Sequence, residues 1–308
     1  MAAEQERYKT AAAFRRALTD RLKAKAEAGP WTLAQLQRQI AYDRILQRLY
    51  LMDDGWILKG AAALLVRALG VRASIDIDLY RAKAADAAEA DLRTAAASDL
   101  GDWFRFEVGA AQPAGDAKGV RIPIRAFVGE TVWAAFHVDL VGAEVTMTGE
   151  PEEMPALARI SMPDVVQNGY RVYPLVDHVA DKVAATFQLY GEGRRPSTRY
   201  RDLVDLVSIV TGASIDAIAQ KAAIESEAAR RGLNLPTEFD VPDRALWEPG
   251  YAAEAARSLL PEARTLDEAL AVVRPFLDPL LDGSARGHWD PAAGKWSAEQ
   301  PTSDSSAP

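Results

Sequence analysis

Ser74-Ile75-Asp76-Ile77-Asp78-Leu79 is the stretch on which the reading of this chain turns. In an extended strand, side chains two residues apart point to the same face. Ser74, Asp76 and Asp78 are therefore expected on one face, and Ile75, Ile77 and Leu79 on the other, in a core. Aspartate is a poor strand former, so two in one short strand call for a reason. Adjacent carboxylates repel each other, and a divalent cation relieves that repulsion. Oxygen-only donors favour magnesium or manganese (Mg2+ or Mn2+) over zinc. The competing reading is a half-exposed strand that happens to carry acids.

The flanking sequence favours the metal reading. Downstream, Phe136-His137-Val138-Asp139-Leu140 alternates in the same way. Asp139 from a neighbouring strand would supply the third carboxylate that a two-metal phosphoryl-transfer site needs, whereas His137 is read as a structural histidine. Upstream, Lys59-Gly60-Ala61 lies where the apolar run Trp56-Ile57-Leu58 gives way to a helical stretch over 61–69. The free N–H groups of a helix start attract phosphate, and glycine lets a phosphate come close.

Working outward, residues 4–28 read as a helix ended by Gly29-Pro30, and Thr32 with Gln35 forms a capping box for a second. A helix over 83–99 follows the Asp-x-Asp strand. Three more strands are expected at 103–108, 120–128 and 131–141, the last two joined by a Gly129-Glu130 hairpin turn. After Pro174 the pattern is helical, at 175–190, 197–211, 213–231, 250–259 and 265–281. The fold class is thus α/β (α+β): a mixed sheet followed by a helical domain. The expected division is N-terminal helices over 1–52, an α/β domain over 53–165 and a helical domain over 166–282. A tail over 283–308, rich in Gly, Pro, Ser and Asp, is expected to be disordered.

Composition narrows the classes. The 308 residues contain no cysteine, which excludes disulfides, thiolate zinc sites and a cysteine nucleophile and fits a cytoplasmic protein. No run approaches the length of a membrane span, and the first 20 residues lack the apolar block of a secretory signal. The formal net charge of −8 argues against indiscriminate nucleic-acid binding. Its distribution is uneven, however: residues 1–50 hold ten Lys/Arg against five acids. Arg194, Arg195, Arg199 and Arg201 form a second basic patch. Such local surfaces on an acidic body suit a docked RNA, although solvated helix faces would look the same.

The order of motifs resembles the signature of the polymerase-β-type nucleotidyltransferase superfamily. The run from Lys59-Gly60-Ala61-Ala62-Ala63-Leu64 to Arg72-Ala73-Ser74-Ile75-Asp76-Ile77-Asp78-Leu79 is similar to its AbiEii/AbiGii branch, the toxin halves of bacterial toxin–antitoxin systems, including MenT-like toxins. His178-Val179-Ala180-Asp181-Lys182-Val183-Ala184-Ala185 and Arg201-Asp202-Leu203-Val204-Asp205-Leu206 resemble two further motifs of that family. The resemblance implies a nucleotidyltransferase domain followed by a helical domain. It implies a toxin that transfers nucleotides from a nucleoside triphosphate, with CTP favoured, to the 3′ end of tRNA, blocking translation. It also implies a cognate antitoxin as partner.

By the same resemblance, Asp76 and Asp78 would hold the metals, with Asp139 as a third ligand or base. Gly60 and Ala61 would receive the triphosphate, Ala61 standing where the family has Gly or Ser. Lys182 would neutralise phosphate charge, and Asp202 and Asp205, three apart on one helix, would orient it, orient the base, or pair with an arginine. Arg72 would contact phosphate or pair with an acid. Ser74 occupies a position at which phosphorylation can silence such toxins. Two rival readings keep the fold: transfer to a protein or small-molecule hydroxyl, and a non-catalytic partner-binding module.

Overall fold

The alternation read around Asp76 closes into a mixed sheet. The computed structural model describes residues 7–114, 119–142, 146–157 and 159–298. Residues group into two units: Met1–Arg67, Ala73–Thr146 and Pro151–Val172 in the first, and Ala68–Arg72, Met147–Glu150 and Tyr173–Pro308 in the second.

The first unit opens with α1 (Ala11–Ala28), capped by the Thr10 hydroxyl, which accepts the Ala13 N–H. Residues 4–6 of the expected helix lie outside the described residues. The Thr32–Gln35 capping box starts α2 (Leu33–Met52) as expected. Then come β1 (Trp56–Lys59), α3 (Gly60–Val66), β2 (Asp76–Arg81) and α4 (Ala85–Ala97). The remaining strands are β3 (Phe104–Val108), β4 (Gln112–Pro113), β5 (Gly119–Val128), β6 (Thr131–Val141), β7 (Glu152–Met154) and β8 (Tyr170–Val172). Among the described residues these strands form one sheet in the order β3-β5-β6-β2-β1-β8-β7, with β4 beside β5. β2 runs parallel to β6 and β1 parallel to β8, while the other pairings are antiparallel. The β5–β6 hairpin turns at Gly129, whose φ of +58° suits glycine.

Two expectations change here. No strand is expected beyond 131–141, yet β7 and β8 follow it and join the sheet, because β8 finds the free edge of β1. The Asp-x-Asp strand begins at Asp76, so Ile75 lies in a bend ahead of it and is 60% exposed instead of sharing the core with Ile77 and Leu79.

The N-terminal helices share one core with the sheet: Phe14, Leu18, Ile40 and Ile45 pack with Ile77, Val138 and Leu140. α2 packs against α1, α4 and β6, which explains why charged positions along it are also buried. Arg44 and Arg48, two of the N-terminal cations expected on a basic surface, instead converge on buried Asp102. Arg48 donates to both Asp102 oxygens at 3.0 and 2.8 Å and to the carbonyls of Ser98 and Phe104. Arg44 donates to Asp102 and to the Val166 carbonyl at 2.6 Å.

The second unit carries α5 (Leu175–Phe187), α6 (Tyr200–Gly212), α7 (Ala217–Arg231), α8 (Arg244–Ala256) and α9 (Leu266–Leu281). α8 begins earlier than expected because the Asp243 carboxylate caps the Leu246 N–H, and the helix then runs through Pro249. The expected disordered tail is corrected over 283–298. There β9 (His288–Asp290) pairs with β10 (Lys295–Ser297). Its order comes from aromatic packing: Trp289 and Trp296 contact the Phe276 ring with centroids 5.2 and 5.1 Å away. Their indole N–H groups donate to the Val210 and Phe276 carbonyls. Residues 299–308 of the expected tail lie outside the described residues. Among the described residues no helix is long and apolar enough to cross a membrane.

Removing the shared anion should be costly. Asp102→Ala leaves Arg44 and Arg48 buried without their carboxylate, and the expected loss is about 3–5 kcal/mol, read as a lowered urea midpoint of the first unit.

Candidate active site

Register places the carboxylates. β2 and β6 pair with Asp76 opposite His137, Ile77 opposite Val138 and Asp78 opposite Asp139. Ile77 and Val138 are fully buried. Alternation therefore turns Asp76, Asp78, His137 and Asp139 to the other face, where each is half-buried. The same rows extend sideways: Lys59 of β1 pairs with Asp78, and Arg121 of β5 pairs with Asp139. One face of four neighbouring strands thus carries Arg121, Asp139, Asp78 and Lys59 in one row, with His137 and Asp76 in the next.

The side chains on this face are engaged. The Arg121 fork donates from Nε and Nη2 to both oxygens of Asp139 at 2.7 and 2.6 Å, and Nη2 reaches Asp76 at 3.5 Å. Those bonds, Asp139 foremost, push the Arg121 guanidinium further up in pKa. His137 Nδ1 lies 3.0 Å from the other Asp76 oxygen. Asp139 was expected as a third metal ligand, but here it is held by the Arg121 fork. Among the described residues no group of three or more His, Asp or Glu side chains is arranged to hold a metal ion. The donor chemistry of Asp76 and Asp78 still fits magnesium, which is commonly held by one or two carboxylates, with water and substrate phosphates completing its shell.

Gly60 serves this face in a way the sequence does not reveal. Its φ is +62°, and a Cβ built there would lie 1.8 Å from Asp78 Oδ2. The missing side chain makes room for the Asp78 carboxylate at the β1–α3 junction. Ala61, next in line, is buried. Ser74 sits just before β2, where its hydroxyl donates to the Asp76 carbonyl and its own carbonyl accepts from the Tyr42 hydroxyl at 3.2 Å. Tyr42 is buried in α2, and burial pushes its hydroxyl pKa up, keeping it a proton donor.

The second unit holds a separate buried network. Lys182 on α5 donates from Nζ to Asp202 Oδ1 at 3.1 Å and Asp205 Oδ2 at 2.7 Å, both on α6. Arg72 forks onto both oxygens of Asp205 at 2.9 and 2.8 Å, and Arg199 donates to Asp202. Both aspartates therefore orient Lys182, and each has a second, arginine partner. Arg201 pairs with Glu254 instead. Burial alone would raise the Asp202 pKa, but Lys182 and Arg199 overrule it and bring it down to about 2. Burial likewise opposes the charge on Lys182, and the two aspartates raise its pKa regardless. Lys182 and Asp202 are thus both charged at neutral pH.

Sequence reasoning missed Arg121 and Tyr42. Arg121 stands in an alternating run with Ile122 and Ile124, which marks its face but not its partner. That partner, eighteen residues along the chain, depends on hairpin register.

No functionally curated protein matches the chain in sequence. Among solved structures it is similar to MenT4, a nucleotidyltransferase toxin of Mycobacterium tuberculosis H37Rv. That match has a TM-score of 0.56 at 16% identity and covers 85% of this chain and 89% of that one. JHP933 from Helicobacter pylori matches with a TM-score of 0.44 at 15% identity, over 80% of this chain and 90% of that one. A family model described as nucleotidyl transferase AbiEii toxin, type IV toxin–antitoxin system, matches residues 44–292. That span takes in both the carboxylate face and the Lys182 network, and the chain belongs to the AbiEii family of nucleotidyltransferase toxins.

Proposed function

We propose that this toxin transfers nucleotides from a nucleoside triphosphate, with CTP favoured, to the 3′ end of tRNA in a magnesium- or manganese-dependent reaction. The observation that carries this reading is the Asp76–Asp78 pair on the open face of β2, with Gly60 shaped around Asp78. The new bond joins the acceptor 3′ oxygen to the α-phosphorus, the α–β bridging bond breaks, and pyrophosphate departs. A divalent cation bound by Asp76 and Asp78 would neutralise phosphate oxygens and ease deprotonation of the attacking hydroxyl.

The chain's own residues do the rest. His137 orients the Asp76 carboxylate, and the bare Gly60 leaves Asp78 its place. Backbone around Gly60 and Ala61 receives the triphosphate. In the second unit we assign Lys182 as the phosphate-neutralising ammonium and Asp202 and Asp205 as the carboxylates that hold it charged and oriented. An RNA acceptor is supported by Arg194 and Arg195, exposed on a tight turn bridged by Tyr190 and Arg195. These substrates place the reaction in the cytoplasm. A cognate antitoxin restrains it, and Ser74 is the proposed point of control: a phosphate on its hydroxyl, beside Asp76, would repel the incoming triphosphate.

Incubating the purified protein with total tRNA, magnesium and each labelled nucleoside triphosphate in turn tests the reading. Label should enter tRNA, most from CTP, and Asp76→Ala should abolish it; equal labelling by that variant sinks the site assignment. Label on protein or a small molecule instead of tRNA would redirect the acceptor. Gly60→Ala forces Asp78 aside, and turnover should fall about a hundredfold, the usual consequence of a misplaced reacting group. Lys182→Met should raise the KM for the triphosphate more than it lowers the melting temperature of the second unit would suggest, with Lys182→Arg recovering part of the binding.

A further inference from the structure

The carboxylate face already contains a cation. Arg121 reaches across β6 toward β2, forking onto Asp139 at 2.7 and 2.6 Å and touching Asp76 at 3.5 Å. We propose that Arg121 is a positioning residue that permanently takes the cation place beside Asp139, so that Asp76 and Asp78 hold a single divalent ion and Asp139 is not a ligand. This rests on the reading of Asp76 and Asp78 as a metal-holding pair.

Three features support it. A guanidinium is charged at any physiological pH, and its planar fork matches both oxygens of a carboxylate, so this pairing competes well with a metal for the same oxygens. The backbone of Arg121 is fixed: β5 is paired on one side with β6 from Gly119 to Arg125 and on the other with β4 at Arg121 itself. The guanidinium therefore stays over Asp139 without a loop having to close. A second divalent ion beside Asp139 would also face the fixed positive charge of Arg121. In a two-metal arrangement the third carboxylate would serve the ion that activates the attacking hydroxyl. Here Arg121 neutralises that carboxylate.

Titrating Mn2+ alone into the full-length protein, with the free ion followed by electron paramagnetic resonance, decides the matter without relying on activity. The expected result is one Mn2+ per chain, lost in Asp76→Asn. Asp139→Asn should weaken Mn2+ far less than Asp76→Asn does, because it removes no ligand and only frees Arg121 to lean on Asp76. Arg121→Gln should tighten Mn2+ about tenfold or admit a second ion, because a repelling charge has gone and a carboxylate is released. Arg121→Lys, which keeps the charge, should behave closer to the parent. Two Mn2+ on the unaltered protein would overturn the assignment of Arg121. So would an Asp139→Asn loss as large as that of Asp76→Asn, or an Arg121→Gln variant with unchanged binding. Mn2+ binding indifferent to Asp76→Asn would instead overturn the metal reading beneath it.

Discussion

The parallel pairing of β2 with β6 is the constraint on which the rest of the first unit depends. Ile77 and Val138, opposite each other and fully buried, anchor both strands to one core. Because strand side chains alternate, burying these two forces Asp76, Asp78, His137 and Asp139 to the other side. A slip of one residue would drive carboxylates into the core and isoleucine into solvent, so the apolar core and the polar face specify the same register. The polar face thus needs no separate scaffold. It follows from a packing decision, with β1 and β5 adding Lys59 and Arg121 to the same rows.

Charge is handled in two contrasting ways. Around Asp102 and in the Lys182 network, the ions are buried and each carboxylate meets more than one cationic partner. On the carboxylate face the ions are half-exposed: Arg121 holds Asp139 in a close fork, while Asp76 lies 3.5 Å from Arg121 and 3.0 Å from His137. A half-exposed carboxylate such as Asp76 is open to solvent in a way the buried ones are not.

Much of this was legible beforehand. The two-residue period around Asp76 and Asp139 gave the strands, the Thr32–Gln35 box gave the start of α2, and the spacing of Lys182, Asp202 and Asp205 placed three ions on neighbouring helices. Other expectations failed for local physical reasons. Ile75 obeyed the apolar alternation but stands outside the ladder, where alternation no longer dictates burial. Residues 283–298 had the composition of a disordered tail, yet two tryptophans packed on Phe276, one edge-on and one stacked, outweigh that bias. Arg44 and Arg48 counted toward a basic surface, but their chain position says nothing of the buried Asp102 they share.

Sequence by itself determined most of the longer elements and the family, because periodicity, caps and motif spacing are local properties of the chain. Tertiary structure decided which charges meet. Arg121 binds Asp139 only because hairpin register brings them level. Gly60 proves to be the space for the Asp78 side chain only because β1 and β2 lie side by side. Contacts of this kind depend on pairing between segments distant in the chain, where a shift of one residue exchanges every partner.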